Sequence, residues 1–424
     1  DVCRHAVATV YTHLEENGIA VGLVFRLRQL RERVLRIREL LDCLMSTHPS
    51  ASAVRLLTRL VLVGQERASI RALITSNSSL LAAKVAERSA ETGEHYITRD
   101  WPQYRSMLRK AAGGGALTGG TTLLKFMIMG LGLSAFWGGF WAGAMYAASF
   151  VVIQLLHCTL ATKQPAMTAP AMAAKLKDIG TPEAVNAFVD EVAHLMRSQA
   201  AAVLGNVLVV FPVVLLLSVG IGLLLGHPML GAKEAAYTLH SLSLLGPTLL
   251  FAGFTGCLLF ASSIIAGWVE NWFVLRRLDS AMRYNPSVTG LLGVERAGRW
   301  AHFMRNNISG FASNISLGFM LGLIPPIMAF FSLPLEVRHV TLSAGQLAAA
   351  SVAYGVQTVF MPAFWWAVAA IPLIGALNLG VSFYLAYQLA LRAHNVSGVQ
   401  RAHIHQAIWA RWRHRPLSFF IPAG

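Results

Sequence analysis

The fifty residues AAGGGALTGGTTLLKFMIMGLGLSAFWGGFWAGAMYAASFVVIQLLHCTL, Ala111 to Leu160, contain one charged side chain, Lys125. An α-helix needs about 20 apolar residues to cross a bilayer core, so this stretch is long enough for two spans, with a tight turn expected near Phe136 to Gly139. Apolar runs of the same kind recur at about 201–226, 244–269 and 311–331. The last of these carries Pro325 and Pro326, which lack the N–H that a helix ladder uses and must break it locally. The uncharged stretch 339–391 holds either two spans, or one span preceded by a surface helix. The expected fold class is all-α, a polytopic membrane protein.

Composition points the same way. Of 424 residues, 55% are hydrophobic and only 13% charged, where a soluble domain carries roughly 25% charged residues. That deficit excludes an ordinary cytosolic enzyme. The polar remainder is basic, with 35 Lys and Arg against 20 Asp and Glu and a formal charge of +15, which suits an anionic lipid leaflet or a polyanion such as DNA. Cys3, Cys43, Cys158 and Cys257 lie far apart without CxxC spacing, so neither a disulfide framework nor a zinc site is expected, and no cofactor. The chain opens at Asp1 without a secretory leader pattern and is expected to be a fragment of a longer protein.

The distribution of charge sets the number of spans, because Lys and Arg in short loops collect on the cytoplasmic side. Segments 159–200, 270–310 and 392–424 hold four, six and five basic residues, whereas 227–243 and 332–344 hold one each, Lys233 and Arg338. Six spans put every basic segment on the side of the basic N-terminal region; seven would place the acid-free tail with Arg392, Arg401, Arg411, Arg413 and Arg415 outside. Six spans are therefore expected, the last at about 364–391, with both termini cytoplasmic and 336–360 at or dipping into the outer face. The expected organisation is a cytoplasmic helical bundle and membrane elbow over 1–110, a six-span domain over 111–392 and a basic cytoplasmic tail over 393–424.

Within the first region, Leu23, Leu27, Leu30, Val34, Ile37, Leu41 and Leu44 alternate steps of four and three, the seam of a helix pair. Arg26, Arg28, Arg31, Arg33, Arg36 and Arg38 flank that seam among Glu32, Glu39 and Asp42. They form either a solvated face of charge pairs or a contact for lipid headgroups or nucleic acid, as do Arg411, Arg413 and Arg415 in the tail. Further helices are expected at about 52–75 and 77–90, and Gly93 to Arg105 reads as an elbow at the membrane surface. Four GxxxG pairs, Gly115 with Gly119, Gly139 with Gly143, Gly222 with Gly226 and Gly318 with Gly322, allow close helix packing within the chain or across a homo-oligomer.

Few residues point to chemistry. Lys125 is a functional candidate if it lies mid-span and an ordinary snorkelling lysine if it lies at a boundary. Gln154, His157, Asn206, Asn271, Asn314 and Asn378 either line a polar path or bond one helix to another. At the cytoplasmic rim, Lys163 and Gln164 stand near Pro165 and Pro170, and Glu270 precedes Arg276 and Arg277 between the interface anchors Trp268 and Trp272. Lys163, Glu270 and Arg305 form a charged cluster or separate charge pairs that fix the span ends. No GxGxxG after a strand, GxxxxGK[ST], HExxH or GxSxG elbow is present. HxxR occurs at His194 to Arg197 and at His302 to Arg305, in each case without a tyrosine placed to complete a strand-transfer site.

Four blocks occur together: GEHYITRDWPQYRSMLRKAAGGG at 93–115, ATKQPAMTAPA at 161–171, GWVENWFVLRRLD at 267–279 and NISGFASNISLGFMLGLIPPIMAFFSLPLEVRHVTLSAG at 307–345. Over roughly 90–392 the chain resembles the bacterial family of multi-pass membrane proteins named site-specific recombinase, of the gonococcal crossover recombinase type. The resemblance implies an inner-membrane protein, and DNA recombination by name, but brings no catalytic set to transfer. Two functional classes follow. One is a DNA-associated membrane protein whose basic segments hold phosphate, with affinity that falls steeply with salt. The other is a transporter or membrane scaffold whose basic segments bind anionic lipid.

Overall fold

The computed structural model describes residues 21–45, 49–68, 97–160, 182–393 and 398–422, and the regular structure among them is helical. In chain order the helices are α1 Val21–Met45, α2 Pro49–Ala68, α3 Trp101–Gly130, α4 Ala135–Leu155, α5 Pro182–Leu225, α6 Ala232–Leu242, α7 Thr248–Leu275, α8 Leu278–Tyr284, α9 Pro286–Leu292, α10 Val294–Phe330, α11 Val340–Tyr354, α12 Pro362–Ala393 and α13 Gly398–His414. Short 3-10 turns follow α11 at Gly355–Phe360 and α13 at Pro416–Phe419. The helix expected at 77–90, and Lys163 and Gln164, lie outside the described residues. The chain divides into two compact units, 1–85 with 267–308, and 86–266 with 309–424.

In the first unit, the heptad-like pattern at 23–44 forms a helix, α1, which packs on α2. Along the expected seam Leu27 is buried, while Leu30, Ile37, Leu41 and Leu44 are exposed. Arg26, Arg31, Arg33, Arg36 and Arg38 stand exposed on the same helix; the Arg28 side chain is outside the described set. Farther along, Asn285 caps α9 by accepting the Ser287 N–H at 2.9 Å, with Pro286 in the first turn where its missing N–H is harmless.

In the second unit, the expected elbow contains a helix start. In the sequence Asp-Trp-Pro-Gln, Asp100 accepts the Gln103 N–H at 2.8 Å, and the Gln103 side chain reaches back to the Arg99 N–H at 2.9 Å. From there α3 runs 30 residues. Gly114, Gly115, Thr118, Gly119, Thr121 and Thr122 are buried, and a Cβ on Gly115 would lie 2.5 Å from the Asn206 carbonyl oxygen of α5. The turn expected at Phe136 to Gly139 falls earlier, at 131–134, where Gly132 takes a left-handed φ of 63°. Gly139 is needed inside α4 instead. A Cβ there would meet Pro326 Cγ at 2.5 Å and the Gly322 carbonyl at 2.8 Å, and one on Gly143 would meet Phe319 Cα at 3.1 Å. Two GxxxG pairs thus face each other across α4 and α10, and Gly119 of a third pair sits against Val213. The fourth behaves differently: Gly226, at φ 76°, ends α5.

Five helices are long and apolar enough to cross a membrane, within Ala135–Leu155, Val185–Leu225, Thr248–Leu275, Val294–Phe330 and Pro362–Leu389. The protein is therefore a multi-pass membrane protein. The remaining expected span, in α3, is helical throughout but is not among the five, because its glycines and threonines together with Lys125 make it less apolar. Pro325 and Pro326 do not interrupt α10, which is continuous through both; they remove only the ladder bonds to the carbonyls four residues back, at Leu321 and Gly322.

Of the two alternatives expected for 336–360, lying at the surface or dipping into the domain, the structure has the buried one: 340–354 form α11, with Val340 to Gly345 and Leu347 to Ser351 buried. It packs on α3, α5, α6 and α12. Fifteen residues make a helix only about 22 Å long, too short to span, so the chain enters along an irregular leg, 333–339, and leaves as a helix. Small residues explain the burial: a Cβ on Gly345 would come within 2.6 Å of Thr122 Oγ1, and alanine fills positions 348–350. Asn378, in the middle of α12, fixes the entry point. Its Oδ1 accepts the Val340 N–H at 3.0 Å, and its Nδ2 donates to the Ala252 and Arg338 carbonyls, each at 2.9 Å.

Candidate functional site

The irregular leg before α11 carries two charges into a bundle of otherwise apolar helices. Arg338 is 7% exposed. Its guanidinium donates through Nε at 3.2 Å and Nη2 at 2.9 Å to the Ser241 carbonyl near the C-terminus of α6, where the helix dipole favours a cation. Nη2 also pairs with Glu336 Oε2 at 2.7 Å, and Nη1 donates to the Val337 carbonyl at 3.0 Å. The guanidinium lies 5.4 Å from the Phe251 ring centre on α7, and the Arg338 N–H donates to Thr255 Oγ1 at 2.7 Å. Glu336 Oε1 accepts the Tyr237 hydroxyl at 3.1 Å. Burial, and then the neighbouring carboxylate, raise the Tyr237 pKa above the ordinary phenol value, so the hydroxyl stays protonated and remains a donor. The pair thereby clamps the leg to α6 and α7.

Beside this clamp is a cavity of about 1220 Å³, walled by the C-terminal turns of α3, the start of α4, α6, the proline turn of α10 and the first turns of α11. Lys125 of α3 reaches it, half-buried and within electrostatic range of Arg338 and Glu336. Among the described residues Lys125 makes no side-chain hydrogen bond or ion pair. Lys233 and Glu234, exposed in the first turn of α6, line the same space. The wall therefore combines apolar surface with a few convergent charged groups, the usual make-up of a ligand pocket.

Of the sequence-predicted residues, Lys125 is the one on this cavity. Glu270, Asn271, Arg276, Arg277 and Arg305 belong to the first unit, where Asn271 is buried, Glu270 and Arg305 are half-buried, and Arg276 and Arg277 are exposed. With Lys163 outside the described residues, Glu270 and Arg305 are the two described members of the expected charged cluster. Asn206, Asn314 with Gln154, and Asn378 act as interhelical links. Asn206 Nδ2 donates to the Ala111 carbonyl at 2.6 Å and the Thr159 carbonyl at 2.9 Å, and its Oδ1 accepts from Thr341 at 3.3 Å. Asn314 of α10 donates to the Phe150 carbonyl at 3.1 Å and to Gln154 Oε1 at 2.6 Å.

A second polar group sits on the N-terminal half of α5. Arg99 pairs with Glu191 at 2.7 Å, and Glu191 also holds His194 at 3.2 Å. Arg197 Nη2 donates to the Ser418 carbonyl at 2.8 Å, Asp190 pairs with Arg411, and Phe419 is fully buried. Of the HxxR residues at 194–197, Arg197 thus holds the C-terminal segment, while His194 pairs with Glu191 of its own helix. Arg411 is engaged in that contact, Arg413 lies 5.6 Å from the Trp409 ring centre, and Arg415 is exposed. Asp190→Ala is expected to loosen α13 while leaving the fold intact, since a partly exposed ion pair contributes about 0–1 kcal/mol. Limited proteolysis checks this through faster cleavage after residue 397 at an unchanged melting temperature.

Glu336, Arg338, Lys233, Glu234 and Tyr237 were not legible as site residues. The available signal was LPLEVRH at 333–339, a charge pair two residues apart inside an otherwise uncharged region, and its low charge count made it read as an outer loop.

No curated protein and no solved structure matches the chain. A family model described as site-specific recombinase matches residues 1–422. With that match over nearly its whole length and five helices fit to cross a bilayer, the chain belongs to the site-specific recombinase family, as a multi-pass membrane protein.

Proposed function

We infer that this family member works as a solute-binding membrane protein of the transporter class, and that the cavity beside α11 is where it binds. The observation that carries this reading is the gathering of Lys125, Glu336 and Arg338 on one cavity among apolar helices. Charges in a lipid-embedded domain are expensive to hold, and where they cluster around a cavity they mark substrate or ion pathways. A short helix entered by an irregular leg suits the same role, because non-helical backbone at membrane depth is tolerated where it lines a cavity.

The topology that goes with this function has α3 as a sixth crossing helix, both termini in the cytoplasm of a bacterial inner membrane, and the N-terminal helices as a cytoplasmic bundle. The concentration of Lys and Arg in 1–110, 159–200, 270–310 and 392–424, against one each in 227–243 and 332–344, supports that orientation. The exposed arginines of α1 and the tail then face anionic lipid.

Uptake into membrane vesicles carrying the full chain or its Lys125→Met variant tests the function. We expect a class of small solutes to accumulate with the parent chain and to fall at least roughly tenfold with the variant, one charge contact being worth a factor of that order, at equal membrane insertion. Identical uptake profiles would overturn the reading. Salt-sensitive retention of duplex DNA by the same purified chain would favour the strand-transfer activity that the family's name suggests.

A further inference from the structure

We propose that the cavity selects an oxyanion, a carboxylate or phosphate, and that Lys125 is the residue that binds it; this rests on the solute-binding reading above. Three cations line the cavity, Lys125, Lys233 and Arg338, against two carboxylates, Glu234 and Glu336. The members of this set are not equally available. Arg338 is held by the Ser241 and Val337 carbonyls and by Glu336, and the second oxygen of Glu336 is taken by Tyr237. That clamp is internally neutral and closed, with its hydrogen-bonding capacity spent on the protein.

Outside the clamp, the cavity presents Lys125, Lys233 and Glu234. Neither lysine has a side-chain hydrogen bond or ion pair among the described residues. Glu234 and Lys233 are adjacent and exposed in the first turn of α6, whereas Lys125 is half-buried on α3. The charge left without a counter-ion is therefore positive, and its best shielded carrier is Lys125. An ammonium removed from bulk water without a partner is unfavourable, and an entering oxyanion supplies the partner. The space accommodates such a group with a carbon skeleton attached, because the walls beyond the charged end are apolar, among them Phe126, Met129 and Leu333. A soluble organic anion, inorganic phosphate and the head of an anionic lipid all offer this chemistry, and the experiment below separates them.

A cysteine in place of Gln346, half-buried on α11 and lining the cavity, provides the test in the otherwise complete chain, with labelling of that site followed by peptide mass. Its rates of reaction with a negatively charged and a positively charged methanethiosulfonate of similar size are compared. We expect the anionic reagent to be favoured. Lys125→Met should lower the rate ratio about tenfold, the effect of removing one charge at close range, and Lys125→Arg should preserve it. Inorganic phosphate or acetate should protect the thiol in the Lys125 chain and not in the Lys125→Met chain; protection by phosphatidylglycerol vesicles but not by these salts assigns the lipid head. Equal or faster reaction with the cationic reagent, or no protection by any of these anions, overturns the oxyanion proposal and leaves the solute cavity standing. Failure of both reagents to reach position 346 would overturn the cavity itself.

Discussion

Asn378→Leu is expected to lower the stability of the membrane domain by about 3 kcal/mol, the largest effect of any single polar change in the spans. Leucine is close to asparagine in size, so packing is nearly kept. The amide, however, serves three backbone groups at once, the Val340 N–H and the Ala252 and Arg338 carbonyls. Each buried group left without a partner costs about 1–3 kcal/mol. The effect is held near the lower end because a chain unfolded within lipid finds other partners. Because the bonds fix the start of α11, the damage should be local: a thiol introduced at Gln346 becomes more reactive in the Asn378→Leu background. The melting temperature in detergent measures the first effect, with Leu373→Ala, at an exposed position of the same helix, as the control that should change it little.

The second large effect is expected at Arg338. Arg338→Met removes the donors to the Ser241 carbonyl and leaves Glu336 without its cation. Breaking a buried pair by deleting one partner costs about 3–5 kcal/mol. Here the Glu336 side chain is 38% exposed against 8% for Arg338, so the lower value is expected for Arg338→Met, and less for Glu336→Gln. The double variant should be more stable than the sum of the two losses implies, since neither charge is then stranded. Thermal unfolding of all four chains closes that cycle, and strictly additive losses would show that the pair is not coupled.

How much of this was readable from residues varies by element. The apolar runs at 201–226, 244–269 and 364–391 fall inside helices, to within a few residues at their ends, because length and hydropathy are local properties. The GxxxG pairs signalled close packing, but only three dimensions reveal that Gly139 and Gly143 meet Gly318 and Gly322. The turn after α3 was misplaced because Gly132 and Gly139 look alike in sequence: one supplies a left-handed φ and the other a close approach to α10. The buried position of α11 was hidden for a similar reason. Its alternation of Ala, Ser and Gly is compatible with a surface helix; in the fold those small residues pack against the neighbouring helices, and the start of α11 is held by Asn378, from a helix nearly forty residues later. Lys125 could be singled out because a lone charge in fifty apolar residues is conspicuous. Glu336 and Arg338 could not, because a short charged segment between apolar runs reads first as a loop.

The central claim is that α11 lies buried in the membrane domain beside a cavity lined by charged residues. A high-resolution cryo-electron microscopy map of the full chain in lipid nanodiscs tests it most directly. We expect helical density for 340–354 enclosed by α3, α5, α6 and α12, with the Arg338 and Glu336 side chains joined and the Lys125 ammonium facing ordered water or a bound anion. Density placing 340–354 on the lipid surface, or apolar side chains filling the space in front of Lys125, would contradict it.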